Sequence, residues 1–371
     1  MKALIASDKF KGSLTAAEVC RAIEQAVLEL DPSTETLLLP LADGGEGTLD
    51  VLEKSLGLKT VEITVSDPLF RPIKSSYCTK GKDAYIEMAR ASGFELLTDD
   101  ERSATKTTSL GTGELVKHAI ENGAENIFLF VGGSATNDGG IGMASALGFR
   151  FLDDNSQEVL PVGENLSSVR FIENTDFPDQ ISMYLVTDVE NPLIGTNGAS
   201  HQYGPQKGAS PEEVTDLERG MVHLSNLVKG LYGKDVSGIP GSGAAGGMGL
   251  SVIGLMNGSI QNGIETILDI VNFEDKLQGA DYVITGEGKI DIQTLQGKVV
   301  HGVAKYAARF GVPAFAICGV NELLPNQAEQ LKLKAIASIK TSELSVEYCM
   351  QNADRLIVER VKEMIGKTRK S

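Results

Sequence analysis

Positive charge and cysteine are both scarce in this sequence. Lysine and arginine total 34 against 50 acidic residues, a formal net charge of −16 at pH 7. Duplex nucleic acid and anionic lipid both require a basic face that neutralises phosphate, so neither a nucleic acid nor a membrane is expected as a partner. The same field repels small anions at long range, and an anionic substrate would have to be held by local lysines, backbone N–H groups and a divalent metal. The four cysteines, Cys20, Cys78, Cys318 and Cys349, are far apart and form no CxxC pair, which argues against a zinc or redox centre and for buried free thiols in a reducing cytoplasm. The four histidines, His118, His201, His223 and His301, show no metal-ligand spacing, and His118 and His223 fall in predicted helices where a structural role is expected. No uncharged run approaches the roughly eighteen residues that span a bilayer, and the apolar stretch at the start is too short for a signal peptide. A GxxxxGK[ST] loop is absent, as are HRD and DFG, which excludes P-loop and protein kinases. No Ser-His-Asp arrangement suggests itself.

What the sequence does contain is an alternation of short apolar runs and helical periods, the pattern of strand-helix-strand units with a largely parallel sheet. A chain of 371 residues exceeds what one hydrophobic core usually serves, so two α/β domains are expected. Residues 2–6 read as a strand, followed by a polar loop and a helix opened by Thr15 and Glu18, which can cap each other's N–H groups. A second strand is expected at 36–41. Between about 59 and 89 the pattern becomes alternating, with a turn at Asp67-Pro68, and has an antiparallel flavour. A helix over 113–122, strands at 126–131 and 182–187, and a long helix from Ser210 with Pro211 in its first turn come next. The glycine-broken apolar stretch 247–260 reads as a buried helix or loop. From residue 280 the chain returns to alternating strand and helix, with a final helix from Ser345. The two chain ends are therefore expected to form one discontinuous domain, 1–75 and 280–371, around an inserted domain, 76–279.

The residues suited to chemistry lie in polar, glycine-rich stretches where a predicted strand ends. The first is Ser7-Asp8-Lys9-Phe10-Lys11-Gly12-Ser13. If it is extended, Lys9 and Lys11 point the same way and can converge on one anion. After the second strand comes Asp43-Gly44-Gly45-Glu46-Gly47-Thr48, whose two carboxylates suit Mg²⁺. The run from Gly132 to Gly140 offers backbone N–H groups and small hydroxyls for phosphate oxygens. Gly241 to Gly247 formally satisfies GxGxxG but follows no predicted strand, so a dinucleotide reading is weak. Gly286-Glu287-Gly288-Lys289-Ile290-Asp291, trailed by Gln293 and Lys298, collects acids and lysines at one strand end. Asp188, ending the strand at 182–187, can accept a proton or ligate metal, or it can cap the following turn.

Taken together, SDKFKGS, ADGGEGT, GGSATNDGG, TDVENPL, GPQKGA, GSGAAGG and TGEGKID with its following QT and GK resemble the bacterial glycerate kinase type I family, in register from residue 5 to 298. That resemblance implies transfer of the ATP γ-phosphate to D-glycerate, with 2-phosphoglycerate expected ahead of 3-phosphoglycerate. It also implies two α/β domains, one flavodoxin-like and one restriction-endonuclease-like, one inserted in the other, with the site between them. Chemistry then suggests the roles. Asp188 or Asp291 would accept the hydroxyl proton, and Asp43, Glu46 and Glu287 would hold Mg²⁺. Gly132, Gly133, Ser134, Asn137 and Asp138, with Gly243, Gly246, Gly247 and Lys298, would meet ATP. Lys9 and Lys11 would meet glycerate's carboxylate or the migrating phosphoryl group, which makes Lys11 a catalytic candidate as well. Ser13, Asn191 and Lys207 complete the substrate contacts. The competing readings are an NAD-dependent hydroxy-acid dehydrogenase using GSGAAG and a non-catalytic metabolite-sensing module.

Overall fold

The computed structural model describes residues 1–45, 47–173 and 177–368, and the chain divides into two compact units. The first comprises Met1–Asp43, Asp50–Gly57 and Asn262–Ser371; the second comprises Gly44–Leu49 and Leu58–Gln261. In chain order the strands are β1 (Lys2–Ser7) and β2 (Glu35–Leu38), then β3 (Lys59–Ser66), β4 (Pro72–Lys80), β5 (Asp83–Glu87), β6 (Asn126–Phe130), β7 (Arg150–Leu152), β8 (Phe171–Glu173), β9 (Ser182–Thr187) and β10 (Ser259–Asn262), and finally β11 (Tyr282–Ile290), β12 (Ala314–Asn321) and β13 (Ala335–Ser338).

The first unit is built on a parallel sheet in the order β13-β12-β11-β1-β2. Residues Ala3 to Ser7 of β1 are all buried, as a central parallel strand covered on both faces requires. The helix Ala16–Leu30 begins at the expected capping box, in which the Thr15 hydroxyl accepts from Glu18 N and the Glu18 carboxylate accepts from Thr15 N at 2.8 Å. Its buried face, with Val19, Ile23 and Val27, joins Leu356, Ile357 and Val361 of the helix Ala353–Thr368 on one side of the sheet. Val300, Ala316 and Leu331 form a smaller cluster. β2 is shorter than the expected 36–41, although Leu39 and Leu41 continue to donate to Ile5 O and Ser7 O at 2.8 and 2.9 Å. The expected helix from Ser345 is interrupted at Asn352, giving Val346–Gln351 and Ala353–Thr368.

The second unit carries a mixed sheet, β10-β9-β6-β5-β4-β3, and a small β7-β8 ribbon. β5, β6 and β9 run parallel, whereas β3 and β4 are antiparallel. The expected boundary at residue 76 is corrected by this pairing, because β3 is in register with β4 from Lys59–Thr79 to Ser66–Pro72 and shares its sheet. The boundary expected at 279 also moves. The helices Gly263–Ile270 and Phe273–Leu277 belong to the first unit, where Phe273 meets Tyr306 edge-on at 5.9 Å between ring centres. All four cysteines are buried free thiols. Among the described residues no helix is long and apolar enough to cross a membrane.

Candidate active site

In the first unit the strand order reverses beside β1, since the chain passes from β1 to β2 on one side and takes up β11 on the other. Open parallel sheets bind ligands outside the carboxyl ends of the strands at such a reversal. Ser7 is paired with Gly286 there, and Asp8 N donates to Gly286 O at 2.9 Å. Asp8 Oδ1 accepts from Lys9 N at 2.6 Å. Burial, and next the negative charge of Asp43, push the Asp8 carboxyl up to about 8 against the pull of Lys9. Glu287, only 4% exposed, is pushed up to about 7 by burial, with the Thr294 hydroxyl and Lys298 pulling back and Asp291 and Asp43 adding to the rise. Thr294 Oγ1 donates to Glu287 Oε1, while the buried Oε2 has no hydrogen-bond partner. Three carboxylates thus bear on one another electrostatically at the ends of adjacent strands, an arrangement that costs stability and is characteristic of sites that handle protons or cations.

The structure sorts the remaining expectations for this unit. Lys9 lies beside Asp8, but the first loop is not extended. Phe10 N donates to Leu14 O at 2.8 Å, and Ser13 N and Leu14 N both donate to Phe10 O. This closed turn carries Lys11 into solvent, so the premise that Lys9 and Lys11 converge is corrected. Ser13 Oγ donates to Met350 O at 2.6 Å and anchors the loop to the helix Val346–Gln351. Asp291 accepts Gln293 N at 2.9 Å and lies 3.4 Å from Lys289 Nζ, so turn formation and an ion pair already engage it. Lys298 takes the position before the helix Val299–Phe310 and is partly buried. Glu46 lies outside the described residues. Among those described, no group of three or more His, Cys, Asp or Glu could hold a metal by itself. Of the expected trio Asp43, Glu46 and Glu287, Asp43 and Glu287 are among the described residues.

In the second unit the glycine-rich loops mainly serve one another. Asp138 is fully buried, and its carboxylate accepts Ser109 N and Oγ at 2.8 and 2.7 Å, Gly140 N at 3.1 Å and Gly142 N at 3.3 Å. Such a carboxylate orders the turn into the helix Ile141–Ala146 and has little left for a nucleotide. Gly243, Gly246 and Gly247 are buried as well. A Cβ at Gly243 would meet Pro192 O at 2.1 Å, and one at Gly246 would meet Thr136 O at 2.0 Å. Gly243 and Gly246 approach the protein's own backbone and Gly247 the side chains of Met221 and Leu193, so the expected nucleotide contact through them is corrected. Lys207, 2% exposed, donates to Ser134 Oγ at 2.9 Å and Thr136 O at 2.6 Å, and burial pushes its ammonium down to about 7. It holds the loop from inside. Asn137 Nδ2 donates to Ser200 Oγ at 3.2 Å, leaving Gly132 and Gly133 as the accessible part of this stretch. Asn191 is spent on Asn197 O and Tyr203 Oη. Asp188 follows β9, partly buried, at the same sheet edge as Gly132.

Two carboxylates escaped sequence reasoning. Asp8 was legible only as loop, although it is the first residue past the first strand, and this place is the signal that could have flagged it. Glu87, 2% exposed, ends β5 and accepts Gly47 N at 2.6 Å, so it organises the loop that contains Gly44 and Gly45. Nothing in the local pattern of β5 announces that role.

Known proteins resemble this one over nearly the whole chain. Residues 3–369 match the model of the glycerate kinase family. A glycerate kinase of Bacillus cereus (strain ATCC 10987 / NRS 248) is 42% identical over 96% of this chain and 95% of its own. Glycerate 2-kinase of Escherichia coli (strain K12) is 39% identical over 92% and 91%. A crystal structure described as that of a glycerate kinase 2 from Salmonella typhimurium LT2 superposes with a TM-score of 0.88 at 38% identity, covering 100% of this chain and 98% of the other. With a family match of that extent and relatives this similar along their full lengths, the chain belongs to the glycerate kinase family.

Proposed function

We propose that this protein transfers the γ-phosphate of ATP to a hydroxyl of D-glycerate and forms 2-phosphoglycerate. The observation that carries the reading is the set of carboxylates Asp8, just past β1, Glu287, toward the end of β11, and Asp43, downstream of β2, with the Asp8 and Glu287 carboxyls pushed up to about 8 and about 7. Family membership supports the kinase activity, and the name of the Escherichia coli relative supports the 2-position. The order of the first unit's strands, counted within that unit as 2-1-3-4-5, supports a flavodoxin-like assignment for it. The second unit is then the restriction-endonuclease-like one. A non-catalytic module would have no use for mutually repelling acids gathered at one sheet edge, and the dehydrogenase reading loses its turn because Gly243 and Gly246 pack on backbone.

The residues present fit Mg²⁺ in the way this ion is usually held in kinases, by one or two carboxylates together with water and substrate phosphate. Glu287 supplies a buried oxygen with no protein partner, and Asp43 supplies the second charge. When bound, the ion would offset charge on the β- and γ-phosphates. Asp8 accepts the proton of the attacking hydroxyl, since a carboxyl titrating near the working pH is matched to taking a proton. Lys9 meets the negative charge of glycerate or of the moving phosphoryl group, Thr294 fixes the orientation of Glu287, and Lys298 offsets its charge. Asp188 is the alternative acceptor, and Gly132 and Gly133 are the backbone donors left for phosphate.

One experiment tests the reading directly. Purified protein with ATP, Mg²⁺ and D-glycerate should yield a phosphorus resonance split into a doublet by the single proton at C2, and none after metal chelation. A triplet would assign the product to C3, and no phosphoglycerate at all would overturn the proposal.

A further inference from the structure

A cleft of about 380 Å³ lies between the helix Val299–Phe310 and the turn Glu329–Leu331, both in the first unit. His301, Lys305 and Arg309 recur at four-residue spacing on that helix and therefore share a face. Gln330 and Lys332 face them across the cleft, with Leu331 between. Arg309 in the last turn suits the helix dipole, but Lys305 and Arg309 four residues apart repel each other, and Lys332 adds a further positive charge across the cleft in a molecule that is strongly acidic as a whole.

Three further features suggest a ligand. Lys305 pairs with Glu265, but Arg309 and Lys332 are in no ion pair among the described residues. Lys332 has φ 52°, a left-handed conformation that glycine would adopt without strain. A charged side chain therefore occupies a position that backbone preference alone would give to glycine. The half-buried His301 imidazole lines the same cleft and is held in place by a hydrogen bond to the Leu295 backbone. A guanidinium, an ammonium, an amide and an imidazole around a space of this size supply the fork and point-charge donors by which phosphate is recognised, and the volume suits a small metabolite.

We propose that this cleft binds a small phosphate-bearing anion, at a site separate from the carboxylates at the ends of β1 and β11. Nothing in the phosphoryl-transfer reading requires it.

The chain contains four histidines, so imidazole carbon–proton NMR of the whole protein is sparse enough to follow, with His301 identified through His301→Gln. Inorganic phosphate would be titrated without Mg²⁺ at constant pH and ionic strength, with acetate and chloride in parallel. The His301 resonance should shift saturably with phosphate and should not follow the other two anions. Arg309→Gln combined with Lys332→Gly should weaken the phosphate response at least about tenfold, the equivalent of losing one charge-assisted contact. The glycine suits the left-handed backbone, and both positions are exposed, so the fold is retained. A His301 signal unmoved by phosphate, moved equally by acetate or chloride, or unchanged in its response in the double variant would overturn the proposal.

Discussion

Replacing Lys207 with methionine separates a buried structural lysine from a substrate-binding one. The side chain is 2% exposed and donates to Ser134 Oγ and Thr136 O, and burial lowers its ammonium from 10.5 to about 7. Between those values the unfolded chain holds a proton that the folded chain has released, so stability rises with pH across this window, is lost as pH falls from 10.5 toward 7, and levels off below about 7. The slope approaches about 1.4 kcal/mol per pH unit well above 7 and is about half that at 7, which integrates to about 2 kcal/mol between pH 7 and 9. For a unit of this size that corresponds to roughly 4–8 °C in the thermal midpoint. Lys207→Met abolishes the titration but nearly preserves the volume. Its loss of two donors, with Thr136 O left unsatisfied, costs about 1–3 kcal/mol at every pH. Asp8 and Glu287, whose raised values make stability fall with rising pH up to about 8 and 7, remain in both proteins and cancel in the difference. Scanning calorimetry of both proteins from pH 7 to 9 should therefore show wild type gaining on the variant as pH rises, above a constant offset. Parallel curves would show that Lys207 keeps its proton in the folded state, and the argument from burial would fail.

The remaining expectations concern the site and its support. Lys9→Met should lower kcat/KM for glycerate at least tenfold, roughly the loss of one charge-assisted contact, whereas Lys11→Met should change it less than about twofold; equal effects in steady-state kinetics would restore a convergent lysine pair. Asp8→Asn should lower kcat by about a hundredfold or more with folding intact, and Asp188→Asn should lower it much less; the reverse ranking would move proton acceptance to β9. Gly246→Ala places a Cβ 2.0 Å from Thr136 O at φ 73°, so the thermal midpoint should drop by the equivalent of more than about 4 kcal/mol, and a near-normal midpoint would contradict the backbone packing described here.

What could be read from the sequence was whatever rests on neighbours a few residues apart. The capping boxes of Thr15 with Glu18 and Ser210 with Glu213 are of this kind, since donor and acceptor lie within one helical turn. So are the strands β1, β6 and β9, marked by short apolar runs, and the glycine-rich stretches that follow them. Tertiary structure alone decided which strand ends meet. β1 lies beside β11 because a central strand needs hydrogen-bond partners along both edges and β2 fills only one, and only then does the charge of Asp43 raise the proton affinity of Asp8 and Glu287. The same holds for the turn that sends Lys11 outward, closed by Leu14 and anchored at Met350, and for β3, whose unit was set by its pairing with β4. A glycine-rich loop reads alike in sequence whether its backbone faces a phosphate or another loop. Here Gly246 faces Thr136 and Lys207 holds Ser134 from within, because buried backbone carbonyls must find donors, and the nearest donors come from segments distant in the chain.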